Sequence, residues 1–285
     1  MNLDALQFSP GAYLAPAVDW LNMNFHPFFD GIARLIEAVL GSIEAVLLYP
    51  PPYAAIMVAV LLAAFFVGVR VAMVTAIALI FCLLAGFWAA SMQTLALVTV
   101  AVIISVSIAF PLGILASRYR KFEAGIRPVL DIMQTVPPWV YLIPAVMIFS
   151  LGRVPAIIAT IVYGIPPMLR LTTLAFNQVP KDLLELGHAT GASPRSILFK
   201  IEIPSATPTL LVGLNQCILL SLAMVVLAGL VGAGGLGAEV TRGLTRMEMG
   251  LGLRAGLSIV AVAIFLDRLM KGLLQRQSSG AAKAA

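Results

Sequence analysis

Residues 93–116 read QTLALVTVAVIISVSIAFPLGILA, twenty-four consecutive positions without an Asp, Glu, Lys, Arg or His. A bilayer core of about 30 Å needs about 20 mostly apolar residues in helical form. Lipid offers no partner for exposed backbone N–H and C=O groups, so such a stretch must be a helix. The rest of the chain has the same character. Of its 285 residues 61% are apolar and 11% charged, with a mean hydropathy of +1.02; an ordinary soluble domain carries about 25% charged residues. A water-soluble fold of this size cannot hide that much apolar surface. This excludes a soluble enzyme, a nucleic-acid-binding domain and a disordered protein. The net charge of +5 belongs to cations scattered beside membrane spans. Cys82 and Cys217 both fall inside apolar runs, which is neither a disulfide framework nor a metal site, and they read as buried, inert thiols.

Working outward, six more stretches qualify as crossings, at 52–69, 71–90, 129–151, 155–176, 207–231 and 255–270. The fold class is therefore all-α, a polytopic membrane protein of about seven transmembrane helices. Pro111 in the third crossing, and Pro137, Pro138 and Pro144 in the fourth, remove backbone donors and are expected to kink or interrupt those helices. Alternating the segments between the crossings puts thirteen of the eighteen cations on one side. Positive charge marks the cytoplasmic side, so the N-terminus is expected outside and the C-terminus inside. The chain then divides into an exported tail (1–51), two accessory helices (52–90), a transport domain (91–271) and a cytoplasmic tail (272–285). A signal peptide would need a basic start and one apolar core, which the first 51 residues lack. Within them Ile32, Leu35, Ile36, Val39, Leu40, Ile43 and Val46–Leu47 recur at helical spacing. That pattern predicts an amphipathic helix lying on the membrane face or against the crossings.

The segment 177–204, NQVPKDLLELGHATGASPRSILFKIEIP, sits on the cation-rich side between the fifth and sixth crossings. Pro180 suits a first helical position, with Asp182 and Glu185 in the early turns. Gly191 can take a left-handed cap, and Ser193 before Pro194 can N-cap a second short helix. Pro204 is expected to stop that helix. Leu183, Leu184, Leu186, Ile197, Leu198 and Phe199 supply more apolar surface than a solvated loop needs, which implies a protein partner.

Glu185, Gly191, Ile201 and Pro204 keep the spacing of the E-A-A-x3-G-x9-I-x-L-P signature of ABC importer permeases, with Leu186, Gly187 and Ile203 as departures. LDIMQTVPP at 130–138, Asn215-Gln216, the glycine-rich run 232–237 and Asp267-Arg268-Leu269 resemble the glycine betaine/proline/choline subfamily. The similarity spans roughly residues 20–272. It implies a type I ABC importer transmembrane fold in the cytoplasmic (inner) membrane. It also implies a second copy of the chain, cytoplasmic ATP-binding subunits that hold ATP and Mg, and an extracytoplasmic solute-binding protein. Glu185, Gly191, Ser193, Ile201 and Pro204 would then form the ATPase-coupling segment. Glu185 would bond to the ATPase and Gly191 would shape the turn.

No phosphate-binding G-x4-G-K-[ST] motif occurs in the chain, so no cofactor is expected on it and ATP hydrolysis falls to another subunit. Residues 232–237 do match G-x-G-x-x-G, but they follow a membrane helix rather than a strand, so the dinucleotide reading fails its context. Gly232, Gly234, Gly235 and Gly237 read instead as a flexible turn at the outer mouth, followed by a short helix carrying docking charges or a plain linker. Gln134, Thr135, Trp139 and Tyr141 on the fourth crossing, with Asn215, Gln216 and Ser221 on the sixth, are candidates for a solute path. An uncharged path lined by aromatic rings suits a quaternary ammonium; rings near span ends also form interface belts. Two histidines assemble no catalytic or metal site. An ion-coupled carrier would show acidic or histidine residues crossing mid-membrane or inverted repeats, and none is evident. Such a carrier, a permease for another small zwitterion, and a transport-inactive scaffold are the alternatives.

Overall fold

The computed structural model describes residues 10–284, with side chains described over 16–274. Twelve α-helices follow one another: α1 (Pro10–Leu48), α2 (Pro52–Phe66), α3 (Val69–Leu84), α4 (Trp88–Arg118), α5 (Arg120–Thr135), α6 (Leu142–Phe149), α7 (Arg153–Asn177), α8 (Lys181–Ala189), α9 (Pro194–Ile197), α10 (Ile203–Ala228), α11 (Gly235–Thr245) and α12 (Met249–Ala284). No strand is present among the described residues.

The expected crossings fall on helical segments, but two of them, 71–90 and 129–151, are broken, and their number needs correction. Among the described residues, four helices are long and apolar enough to cross a membrane alone, or up to six crossings if each of two bent pairs counts as one. At 15 and 16 residues, α2 and α3 reach only about 22–24 Å at 1.5 Å per residue. The stretch 129–151 is not one helix: α5 and α6 meet at 106° across Pro137 and a 3₁₀ turn at Pro138–Tyr141. Pro137 and Pro138 thus interrupt the chain as expected. Pro111 does not, for α4 runs unbroken through it, and Pro144 sits in the first turn of α6, where a missing N–H is no loss.

The centre of the bundle is α4, α7 and α10. In a membrane, close packing rather than hydrophobic expulsion holds helices together, which favours small residues at the contacts. Ala96 and Ala101 of α4, Ala156 and Ala159 of α7, and Cys217 of α10 are all buried. A Cβ on Gly113 would stand 2.5 Å from Thr172 Cβ, so α4 and α7 touch nearly backbone to backbone there. The Thr173 hydroxyl seals the contact by donating to the Gly113 carbonyl at 3.2 Å. Cys82 and Cys217 are both free and buried.

The N-terminal helix extends further than its sequence pattern suggested and kinks at Phe25, two residues before Pro27. Ile36 and Leu40 are buried, while Ile32, Ile43 and Leu47 pack against the core. Leu35, Val39 and Val46, placed on the same apolar face by the sequence, are exposed. The buried stripe is therefore the narrower i, i+4, i+7 row that faces α4 and α6.

Replacing Gly113 by Leu forces side-chain atoms into α7 and is expected to cost roughly 1–3 kcal/mol. Gly125→Ala, where nothing lies within 4 Å of the new Cβ, is expected to be neutral or slightly stabilising. Thermal unfolding of the two variants in detergent checks the difference.

Candidate coupling site and solute path

The segment between α7 and α10 folds as two short helices joined at a glycine turn, a lever-shaped unit. After α8, Gly191 adopts φ +74°. Its N–H donates to the His188 carbonyl at 3.0 Å, and the Ala192 N–H donates to the Gly187 carbonyl at 3.0 Å. This paired pattern is the Schellman stop, which needs a left-handed residue at the position after the cap. The Ser193 hydroxyl then accepts from the Ser196 N–H at 3.3 Å and caps α9. Both features match the sequence expectation.

Pro204 does not stop the second helix. A π turn at Leu198–Glu202 leads directly into α10, with Pro204 in its first turn. The wider register of a π turn accommodates the ring where a strict α register would clash. The lever is therefore continuous with a crossing helix.

Gly187 is buried, and a Cβ there would stand 2.7 Å from Ile201 Cδ1 and 3.3 Å from Ile197. The second alanine position of the signature thus has a steric reason: α8 folds back onto Ile197 and Ile201. Leu186, at the first alanine position, is 60% exposed, which explains why a large residue is tolerated. Glu185, Leu183, Leu186 and His188 all face outward. Sequence reasoning missed Glu202. It is 3% exposed and accepts from Arg118 Nη2, at the end of α4, at 2.5 Å. Its signal was an acid inside the apolar run Ile201-Glu202-Ile203-Pro204.

The solute-path candidates do not converge. Gln134, Thr135 and Trp139 are exposed around the break between α5 and α6. The Tyr141 hydroxyl is committed, donating to the Met133 carbonyl at 3.0 Å and so satisfying an acceptor freed at the end of α5. On α10, Gln216 is exposed, whereas Asn215 is buried and donates to Asp267 Oδ1 of α12 at 3.1 Å. Ser221 is fully buried in a knot with Ser105 and Cys217 around Gly164.

At the far end of α10 the glycine turn is packed rather than flexible, correcting the sequence reading. Gly232, Gly234 and Gly235 all have positive φ. The Gly235 N–H donates to Gln93 Oε1 at 3.1 Å and the Leu236 N–H to Thr94 Oγ1 at 2.9 Å. A Cβ on Gly237 would stand 2.4 Å from the Val225 carbonyl, so α11 lies directly against the α10 backbone. Gln93 also donates to Glu44 of α1 at 3.0 Å. Arg153 pairs with Glu37 and, at 2.6 Å, with Glu44. These groups line a cavity of about 840 Å³ beside the turn.

Residues 109–279 match the family described as "Binding-protein-dependent transport system inner membrane component". The chain is 42% identical over 262 residues to the glycine betaine/proline betaine transport system permease protein ProW of Escherichia coli strain K12, covering 92% of this chain and 74% of that protein. It is 41% identical over 265 residues to the glycine betaine transport system permease protein OpuAB of Bacillus subtilis strain 168, covering 92% and 93%. It is 36% identical over 283 residues to the glycine betaine/carnitine transport permease protein GbuB of Listeria monocytogenes, covering 95% and 99%. Among solved structures, a chain of the MetNI methionine ABC transporter in inward-facing conformations superposes with a TM-score of 0.60 at 22% identity, over 67% of this chain and 95% of that one; the likeness is one of fold.

Gly191→Val forces a β-branched residue into the left-handed region, a strain of roughly 1–3 kcal/mol. Faster hydrogen exchange over 187–198 is the expected result, with a smaller effect from Gly191→Asn, since Asn tolerates that region.

Proposed function

Because the chain belongs to the family of binding-protein-dependent transport system inner membrane components, we propose that it is the membrane-spanning permease subunit of an ATP-driven importer whose solute is a quaternary-ammonium compatible solute. Glycine betaine, proline betaine and choline are the candidates. Such a subunit is a multi-pass membrane protein and not an enzyme. It works with ATP-binding subunits and a solute-binding protein. In this reading the assembly holds two copies of the chain, ATP and Mg reside on the ATP-binding subunits, and the lever end faces the cytoplasm.

The observation that carries the reading is the lever. Its outer face presents Glu185 between the exposed Leu183 and Leu186, a combination suited to a groove that is apolar with a polar contact. Its inner face is locked by Gly187, Ile197 and Ile201, so a push on α8 moves the whole unit. That unit runs through the π turn into α10, whose 26 residues span about 39 Å and end at the glycine turn. When the ATP-binding subunits close on ATP, the levers move and the far ends of the α10 helices respond. Selection among betaine-like solutes then rests with the solute-binding protein.

Purification of the chain with its ATP-binding subunit and solute-binding protein, followed by a ligand screen on the latter, tests the assignment. Co-isolation and preferential binding of betaines or choline are expected; binding of amino acids or sugars alone would overturn the solute class. Glu185→Lys and Gly191→Pro are expected to leave the chain inserted in the membrane while uncoupling ATP hydrolysis from uptake. Parallel measurement of phosphate release and solute accumulation checks this.

A further inference from the structure

The lever is joined to the bundle by more than its continuity with α10. We infer that the Arg118–Glu202 ion pair is a strut carrying lever motion into α4, so that α4, α7 and α10 move as one body; this rests on the permease reading above.

Glu202 is the last residue of the π turn, immediately after Ile201, on which α8 is seated. Its carboxylate is almost completely buried, and Arg118 is the cation it meets among the described residues. Arg118 lies in the last turn of α4, 84 positions away in the chain. A carboxylate buried this deeply cannot give up its cation without being left uncompensated, so the pair holds as a closed connection while its surroundings move. Arg118 is half exposed at the bundle end, which lets the guanidinium follow the lever without being dragged through apolar packing.

Beyond Arg118 the load path continues without a gap. Five residues back along α4, Gly113 abuts Thr172 and accepts from Thr173 of α7. Further along, Gly164 of α7 is seated against Ser105 of α4 and Cys217 and Ser221 of α10. A lever attached to α10 alone would work against these contacts and displace one helix from its neighbours. A lever attached to α10 and α4 together displaces the set. The π turn Leu198–Glu202 sits at the junction of the lever and α10, and its wider register is a place where the backbone can change pitch. Arg118 and Glu202 are therefore positioning residues: neither needs to touch solute or the ATP-binding subunit.

The test uses the complete complex in proteoliposomes, with ATP hydrolysis and betaine uptake measured together. Arg118→Gln combined with Glu202→Gln keeps a hydrogen-bonding pair but removes the charge. The expected result is an assembled complex that still hydrolyses ATP, with solute moved per ATP reduced at least about fivefold, the lower end of ordinary coupling energies. The charge exchange Arg118→Glu with Glu202→Arg is expected to restore most of the ratio. If these variants fail to assemble, Arg118→Cys with Glu202→Cys, joined through two disulfides by a short bis-methanethiosulfonate crosslinker, replaces them: transport with the crosslink and uncoupling after reduction of those disulfides are expected. An unchanged solute-to-ATP ratio in the neutral pair, or a crosslinked complex that cannot transport, would overturn the strut. Absence of ATP-dependent uptake in the unmodified complex would instead overturn the permease reading itself.

Discussion

In hydrocarbon a chain must satisfy its own backbone hydrogen bonds, and three irregular pieces of this molecule are arranged around that requirement. Where α5 breaks from α6, the Tyr141 hydroxyl donates back to the Met133 carbonyl. Where α10 turns into α11, Gln93 and Thr94 of α4 accept the N–H groups of Gly235 and Leu236. Where α9 passes into α10, a π turn keeps the helix continuous into Pro204. The departures from helix are thus fixed features with assigned partners, and they lie at the ends of the bundle, where a transport cycle needs parts that differ from a plain crossing.

Two of these ends are linked through α10. At one lies the lever, locked inside by Gly187 and Ile201 and open outside at Glu185. At the other lies the glycine turn, whose Gln93 partner also bonds Glu44, itself paired with Arg153. The N-terminal helix is thereby tied by hydrogen bonds and an ion pair to α4, α7 and the turn. An uncharged interior lies between the ends, with Ala96, Ala101, Ala156, Ser105 and Cys217 packed among Val100, Ile157, Leu169 and Val225. Such contacts transmit displacement well because they have little side-chain freedom to absorb it.

Much of the architecture was legible in the sequence because it rests on local rules. Length and apolarity located the long apolar helices, though not how many of them cross singly. Ser193 before Pro194 announced an N-cap, and Gly191 announced a left-handed stop. The errors came where long-range packing decides. Nothing in the dipeptide itself distinguishes Pro137-Pro138, where the chain breaks, from Pro166-Pro167, through which α7 runs unbroken. Periodicity alone placed Leu35 and Val39 with Ile36 and Leu40, though only one stripe of α1 meets a neighbour. The glycine run reads as slack in sequence and is held taut by residues about 140 positions earlier. The partner of the Asn215 amide, Asp267 of α12, lies on a helix that the sequence could not place beside it.

The central claim is that solute movement through this chain is driven by nucleotide hydrolysis on a separate subunit and transmitted by the lever. Uptake of radiolabelled glycine betaine into sealed proteoliposomes addresses it most directly, with the chain, its ATP-binding subunit and its solute-binding protein supplied together or singly omitted. Accumulation against a gradient only when all three and ATP are present is the predicted result. Accumulation driven by a sodium or proton gradient, with the ATP-binding subunit left out, would contradict it.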